Sequence, residues 1–224
     1  MATESKSFPK FLGLAKKCQP TSNVALLAQV ALVFALVMVA IWTPQGRLNS
    51  AVSVAAAALV LWFVTRGPYS ARECGLIQPR RGATVMLLAG IAAILIVTAS
   101  APLFGRFGPP HPVALERSWQ YCIWAMLQEF MLQSFFYLRL ESVLGKTWGL
   151  LAAAGLFSLA HLPSPILTIA GFLGALLFCE LFRRYRNIYP LGIIHGALGL
   201  TIAAHLPDSL LHHMRVGLGY WLHP

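Results

Sequence analysis

Seven apolar runs, each cut off by proline, glycine or arginine, leave this chain only one solvent to fold in. They cover about residues 23–42, 49–64, 83–103, 118–141, 147–162, 166–182 and 188–206. A helix needs roughly 20 apolar residues to cross the hydrocarbon core of a bilayer, and these runs are near that length, the second, fifth and sixth being short. Inside lipid every backbone N–H and C=O must be satisfied within the segment, so helix is the expected form. Thr43-Pro44-Gln45-Gly46 ends the first run, Pro163-Ser164-Pro165 the fifth, and Arg183, Arg184 and Arg186 the sixth. The expected fold is all-α: a polytopic membrane helix bundle of about seven transmembrane helices.

Composition agrees. Hydrophobic residues make up 58% of the 224 and charged residues only 11%, against about 25% charged in a soluble domain. Little chain is left for a soluble domain. The net charge of +10 does not point to nucleic acid, because basic residues in such a chain mostly set topology. With the N-terminus inside, the inner segments carry Lys6, Lys10, Lys16, Lys17, Arg66, Arg72, Arg80, Arg81, Arg139, Lys146, Arg183, Arg184 and Arg186. The outer ones carry only Arg47, Arg106, Arg117 and Arg215. This bias gives an N-in, C-out orientation. The first run is too long for the apolar region of a cleavable signal and reads as a retained span.

Four divisions follow. Residues 1–22 form a basic cytosolic lead-in. Residues 23–117 hold three spans and their loops, and 118–206 a core of four spans. Residues 207–224 form an amphipathic, aromatic tail expected at the membrane interface, with His212, His213 and His223 solvated. The cysteines Cys18, Cys74, Cys122 and Cys179 lack a CxxC spacing, so neither a disulfide framework nor a cysteine metal site is expected. Cys122 and Cys179 read as small buried hydrophobes.

Chemistry is confined to a few polar residues in apolar surroundings. The fourth run, SWQYCIWAMLQEFMLQSFFYLRLE, carries Gln128, Glu129 and Gln133 in its middle. An ionisable group at that depth costs roughly 2.5–3.5 kcal/mol on insertion scales, so Glu129 is a functional candidate. His161 closes FSLAH, which begins at Phe157, and His195 sits in IIHGALG, which ends with Leu198 and Gly199. A carboxylate and two imidazoles can hold and deprotonate a water and then protonate a leaving group. They could instead ligate a divalent metal such as zinc, although no HExxH pattern is present and the sequence requires no cofactor. Plainer readings stand beside these. Glu129 could anchor a buried pair, His161 could satisfy the Pro-Ser-Pro turn, and His195 could be a packed, hydrogen-bonded histidine. Glu180 is expected to pair locally with Arg183 or Arg184.

Together these segments resemble the CPBP family of intramembrane proteases, which includes the CAAX-processing endopeptidase of prenylated proteins and bacteriocin-processing or immunity proteins. The family pattern is EExxxR, FxxxH and HxxxN on successive helices. Phe157 to His161 completes the second motif. The third begins at His195 but has Gly199 in place of Asn. The first reads Gln128-Glu129-Phe130-Met131-Leu132-Gln133, with Gln128 for the first Glu and Gln133 for the Arg. The resemblance spans about residues 119–199. It implies that the position of Gln128 and His161 activate water and that His195 and position 199 form the oxyanion site. With Gln128 unable to take a proton, the base role passes to Glu129. Gln128 and Gln133 would position water or substrate.

The leading expectation is an intramembrane endopeptidase acting on a membrane-embedded or membrane-proximal peptide or protein, with the lipid bilayer as its other partner and no nucleic acid. The alternative is a non-catalytic scaffold or immunity protein that keeps the cavity. A small transporter or proton relay using the same residues is the third. A bacterial inner membrane is the expected location, and the sequence does not specify an oligomeric state. One difficulty stands: His161 falls near the outer end of its span, whereas Glu129 and His195 fall mid-membrane.

Overall fold

A computed structural model describes residues 21–105, 107, 109–110 and 114–222. Most of the basic lead-in, with Lys6, Lys10, Lys16, Lys17 and Cys18, lies outside the described residues, as do Arg106 and His223. The elements are α1 (Asn23–Trp42), α2 (Arg47–Arg66), α3 (Ala83–Ser100), α4 (Leu115–Glu129), a π-helical segment (Phe130–Tyr137), α5 (Leu138–Leu159), α6 (Pro165–Tyr185) and α7 (Tyr189–His205). Two short helices follow, α8 (Asp208–Leu211) and α9 (Leu218–Leu222). No strand occurs among the described residues. Side-chain caps start two of the helices: Ser22 Oγ accepts from Ala25 N–H, and Ser164 Oγ from Leu167 N–H ahead of Pro165.

Among the described residues five helices are long and apolar enough to cross a membrane. One of them, Leu115–Leu159, has 45 residues, about 68 Å at 1.5 Å per residue and twice what a bilayer core needs. Gly145 breaks it, with φ 78° and ψ 176°, which is where the sequence expects a turn between the fourth and fifth spans. The last long helix, α7, has 17 residues.

The π-helical segment is the axis of the bundle. Every residue from Leu132 to Leu140 is buried, the pattern of a helix surrounded on all sides. Phe135 stacks on Phe63 of α2 at 6.1 Å between ring centroids, Phe136 meets Phe34 of α1 edge-on at 6.4 Å, and Tyr137 meets Phe182 of α6 at 6.1 Å. Along α4 the packing partner is α7. Gly192, Gly196 and Gly199 lie against Met126, Cys122 and Tyr121 respectively. The order runs opposite ways on the two helices, so they are antiparallel. A β-carbon at Gly192 would stand 2.5 Å from Met126 Cε, and one at Gly196 3.1 Å from Cys122 Sγ. Gly192 and Gly196 form a GxxxG pair, the device by which membrane helices bring backbones close.

Three expectations are corrected here. Arg139 is not a solvated basic end but fully buried. Its guanidinium donates to Gln29 Oε1 of α1 (2.9 Å), to the Phe63 carbonyl of α2 (2.8 Å) and to the Phe135 carbonyl (3.1 Å), and it lies 4.1 Å from the Phe135 ring centroid. Guanidinium carries five donors in a rigid fork, so one side chain ties two helices to the axis. Cys122 is exposed rather than buried, because it lies on the rim of the α4–α7 contact. His212, expected to be solvated, is half-buried and stacks on Tyr220 at 4.0 Å, in a tail that packs on protein: Gly217 N–H donates to the Leu162 carbonyl at 2.7 Å, and Leu211 is buried with Leu167 and Leu206. Of the described tail histidines His213 alone keeps a mostly exposed ring, 2.8 Å from Asp208. Glu180 pairs as expected, with both Arg183 and Arg184 at 2.6 Å.

Replacing Arg139 by Leu strands three acceptors. Each buried acceptor left without its donor costs about 1–3 kcal/mol, so Arg139→Leu is expected to lower the thermal unfolding midpoint in detergent sharply, and Arg139→Lys less so. Unchanged melting of the Leu variant would rule out this role. Gly196→Leu is expected to destabilise by about 1–3 kcal/mol through overpacking, read in the same assay.

Candidate active site

The buried face of α4 ends in Glu129, the last residue before the helix widens. Glu129 is fully buried, and both carboxylate oxygens are engaged. Gln133 Nε2 donates to Oε2 at 3.0 Å, and His195 Nδ1 lies 2.9 Å from Oε1. Gln133 lies in the π-helical segment, four residues on. Such segments recur at functional sites, and here the widening begins at the residue after Glu129. Gln128, one position earlier, is only partly buried, and its side chain makes no hydrogen bond among the described residues. Neighbours on a helix point about 100° apart. Glu129, not Gln128, faces the histidine.

A carboxylate can only accept hydrogen bonds, so His195 carries its proton on Nδ1 and presents an unprotonated Nε2. The His195 side chain is 11% exposed against 0% for Glu129. His195 is therefore the member of the pair that faces outward. The close α4–α7 contact makes this possible. Gly192 and Gly196 flank His195 on α7 and bring its backbone to Met126 and Cys122, within reach of Glu129.

His161 stands in the turn after α5. Its Nδ1 lies 2.7 Å from the Phe157 carbonyl, an obligate acceptor, so this ring too holds its proton on Nδ1 and leaves Nε2 free. Gly171 of α6 leaves space beside it, since a β-carbon there would come within 3.3 Å of Nδ1. The turn is fixed by His161 N–H to the Ser158 carbonyl (2.9 Å) and by Ser158 Oγ to the Thr168 carbonyl (2.8 Å). The bond within its own turn is the plainer role expected for His161. Phe157 links the two imidazoles: its ring centroid is 4.7 Å from that of His161 and 5.7 Å from that of His195. The end of α5 therefore reaches His195 through Phe157, and His195 in turn reaches Glu129.

Gly199 carries no side chain, but its place is filled. A β-carbon there would collide with the hydroxyl of Tyr121 from α4. That hydroxyl has no hydrogen-bond partner among the described residues. Gly199, which it touches, lies one turn along α7 from His195. Tyr121 was missed in the sequence. The signal that could have exposed it is the glycine spacing 192–196–199, which marks the α7 face that takes large residues from a neighbour. Cys179, also buried, lies beside Gln133.

Among the described residues no three His, Cys, Asp or Glu side chains converge to hold an ion.

With this geometry in hand, comparison with known proteins gives one finding. Residues 109–201 match the family described as Type II CAAX prenyl endopeptidase Rce1-like. No curated protein and no solved structure matches the chain. The matched stretch takes in Gln128 to Gln133, Phe157 to His161 and His195 to Gly199. The long apolar helices make the chain an integral membrane protein, and its segment from residue 109 to residue 201 is similar to the Rce1-like family.

Proposed function

We propose that this protein is an intramembrane endopeptidase that cleaves a membrane-associated peptide by direct attack of water, with seven crossings and the N-terminus inside. The observation that carries the reading is the Glu129–His195 contact of 2.9 Å inside the matched segment. It shifts the base role away from Glu129. Glu129 is fully buried with both oxygens engaged, so it orients His195 and stabilises the imidazolium, as a buried carboxylate does in a hydrolytic triad. Gln133 holds the second oxygen. His195 Nε2 takes a proton from water, the hydroxide oxygen bonds to the scissile carbonyl carbon, and the C–N bond then breaks as the proton passes to the leaving amine. His161, with Nε2 also free, is the second imidazole available to the oxyanion or the leaving group. Tyr121 Oη supplies a donor at the place left open by Gly199. A bacterial inner membrane is the proposed location.

A second reading has its own support. The wholly buried Glu129, the slight exposure of His195 and the Gln at 128 suit a protein that binds a peptide without cutting it. The two readings part on turnover.

The test is cleavage of a farnesylated CAAX-type peptide by the full chain in liposomes. Glu129→Gln keeps the shape, since its amide can still meet Gln133 and His195, but removes the charge. A loss of about 10²–10⁴ is expected from it and from His195→Ala, the range of general-base and orienting residues. Peptide binding without turnover in the native protein would favour the second reading.

Tyr121→Phe is expected to slow cleavage about 10²-fold with the melting point unchanged, the size of one oxyanion donor. Gly199→Asn, which restores the family residue, is expected to lower stability because it strikes Tyr121. Tyr121→Ala together with Gly199→Asn should recover both stability and rate. Additive losses would refute the exchange.

A further inference from the structure

The link between α2 and α3, residues 67–82, is pinned to the bundle along its length. Ser134 Oγ donates to the Cys74 carbonyl (2.8 Å), Ile188 N–H to that of Gly75 (3.3 Å) and Tyr189 Oη to that of Leu76 (2.9 Å). The fully buried Asn187 donates through Nδ2 to the carbonyls of Pro79 (2.8 Å) and Arg81 (3.0 Å). Loops between elements are ordinarily the mobile part of a fold. This one has its carbonyls fixed by α7, by the turn before it and by the axis helix.

What the fixed loop presents is uncompensated positive charge. Arg72, Arg80 and Arg81, with Gln78 and Pro79, line an open hollow of about 590 Å³. All three arginines are exposed. The side chains of Arg72 and Arg80 have no ion-pair or hydrogen-bond partner among the described residues, and Arg81 has only Gln78 Oε1 at 3.3 Å. The nearby acids are already committed. Glu73 accepts from Ser70 N–H (2.8 Å) and Ser70 Oγ (2.7 Å), Glu141 is paired with Arg186, and Glu180 with Arg183 and Arg184. Three like charges around one hollow repel one another, and a rigid backbone denies them the usual escape of moving apart.

Two features say what fits. The helices on either side, α2 and α3, are both long and apolar enough to cross the membrane, so the hollow lies at the level of lipid headgroups. Ile77, next to Gln78, is 51% exposed, an apolar side chain turned outward at the same place. Guanidinium groups match phosphate oxygens in paired hydrogen bonds, and basic pockets beside membrane helices suit anionic headgroups. We propose that Arg72, Arg80 and Arg81 form a binding site for the phosphate headgroup of an anionic membrane lipid, with Ile77 against its acyl boundary. The site is independent of the Glu129–His195 pair.

The test uses the full chain purified in detergent and titrated with short-chain phosphatidylglycerol, phosphatidylcholine or inorganic phosphate, read by thermal shift and by native mass spectrometry of bound lipid. Each arginine near an anionic surface strengthens binding about fivefold. The triple variant Arg72→Gln/Arg80→Gln/Arg81→Gln is therefore expected to lose on the order of 100-fold in phosphatidylglycerol affinity and to bind it no better than phosphatidylcholine. Its lipid-free melting point should hold, since these side chains support no fold contact. Arg47→Gln/Arg117→Gln, which removes charge elsewhere, should retain affinity. Equal losses in both variants would reduce the effect to general charge and overturn the site. Protection by inorganic phosphate as strong as by phosphatidylglycerol would overturn the lipid assignment.

Discussion

A carboxylate withdrawn from water in the middle of a membrane protein must be held by donors, and the core around α4 and α7 is built to supply them. Glu129 has two, Gln133 on its own helix and His195 on α7. The first needs position 133 on the same face as 129, which the four-residue spacing provides. The second needs α7 close enough for an imidazole to reach, which the glycines at 192 and 196 provide. Remove either, and a buried charge loses a partner, a change that commonly costs about 3–5 kcal/mol. The polar pair and the close backbone contact therefore depend on each other.

The same axis helix holds a second buried ion ten residues on. Arg139 is satisfied by backbone carbonyls and an amide, not by an acid, so it makes no local charge pair and serves assembly. It joins α1 and α2 to the core. Glu129 is the candidate for chemistry because its partner is titratable and slightly open. Arg139 serves architecture because its partners are backbone carbonyls and an amide, none of them titratable. Two charged residues that look alike in sequence thus have different work, and the difference lies in their neighbours.

The departures from the family motifs acquire physical counterparts. Gln133, in the place of an arginine, donates to Glu129 without adding charge. Gly199, in the place of an asparagine, makes room for the Tyr121 hydroxyl. Gln128, in the place of a glutamate, is turned away from the histidine that Glu129 holds. The substitutions are compatible with one another in three dimensions, although each taken alone reads as a loss.

Apolar runs, their proline and glycine ends and the isolated Glu129, His161 and His195 were enough to fix the helices to within a few residues and to mark the polar positions, because both depend on local hydropathy and helix length. The 3.6-residue repeat could not say whether Glu129 or Gln128 faces inward, since that turns on a π-helical widening with no signature in hydropathy. Nor could it show that Arg139 is buried or that Tyr121 stands over Gly199, because those contacts join residues far apart in the chain. The meeting of His161 and His195 was illegible for the same reason: it runs through the Phe157 ring, which packing between α5 and α7 places between them. Sequence determined which segments form long apolar helices and which polar groups those helices carry. Tertiary structure decided which of those groups meet, because helix rotation and close approach are set by the neighbours a helix packs against.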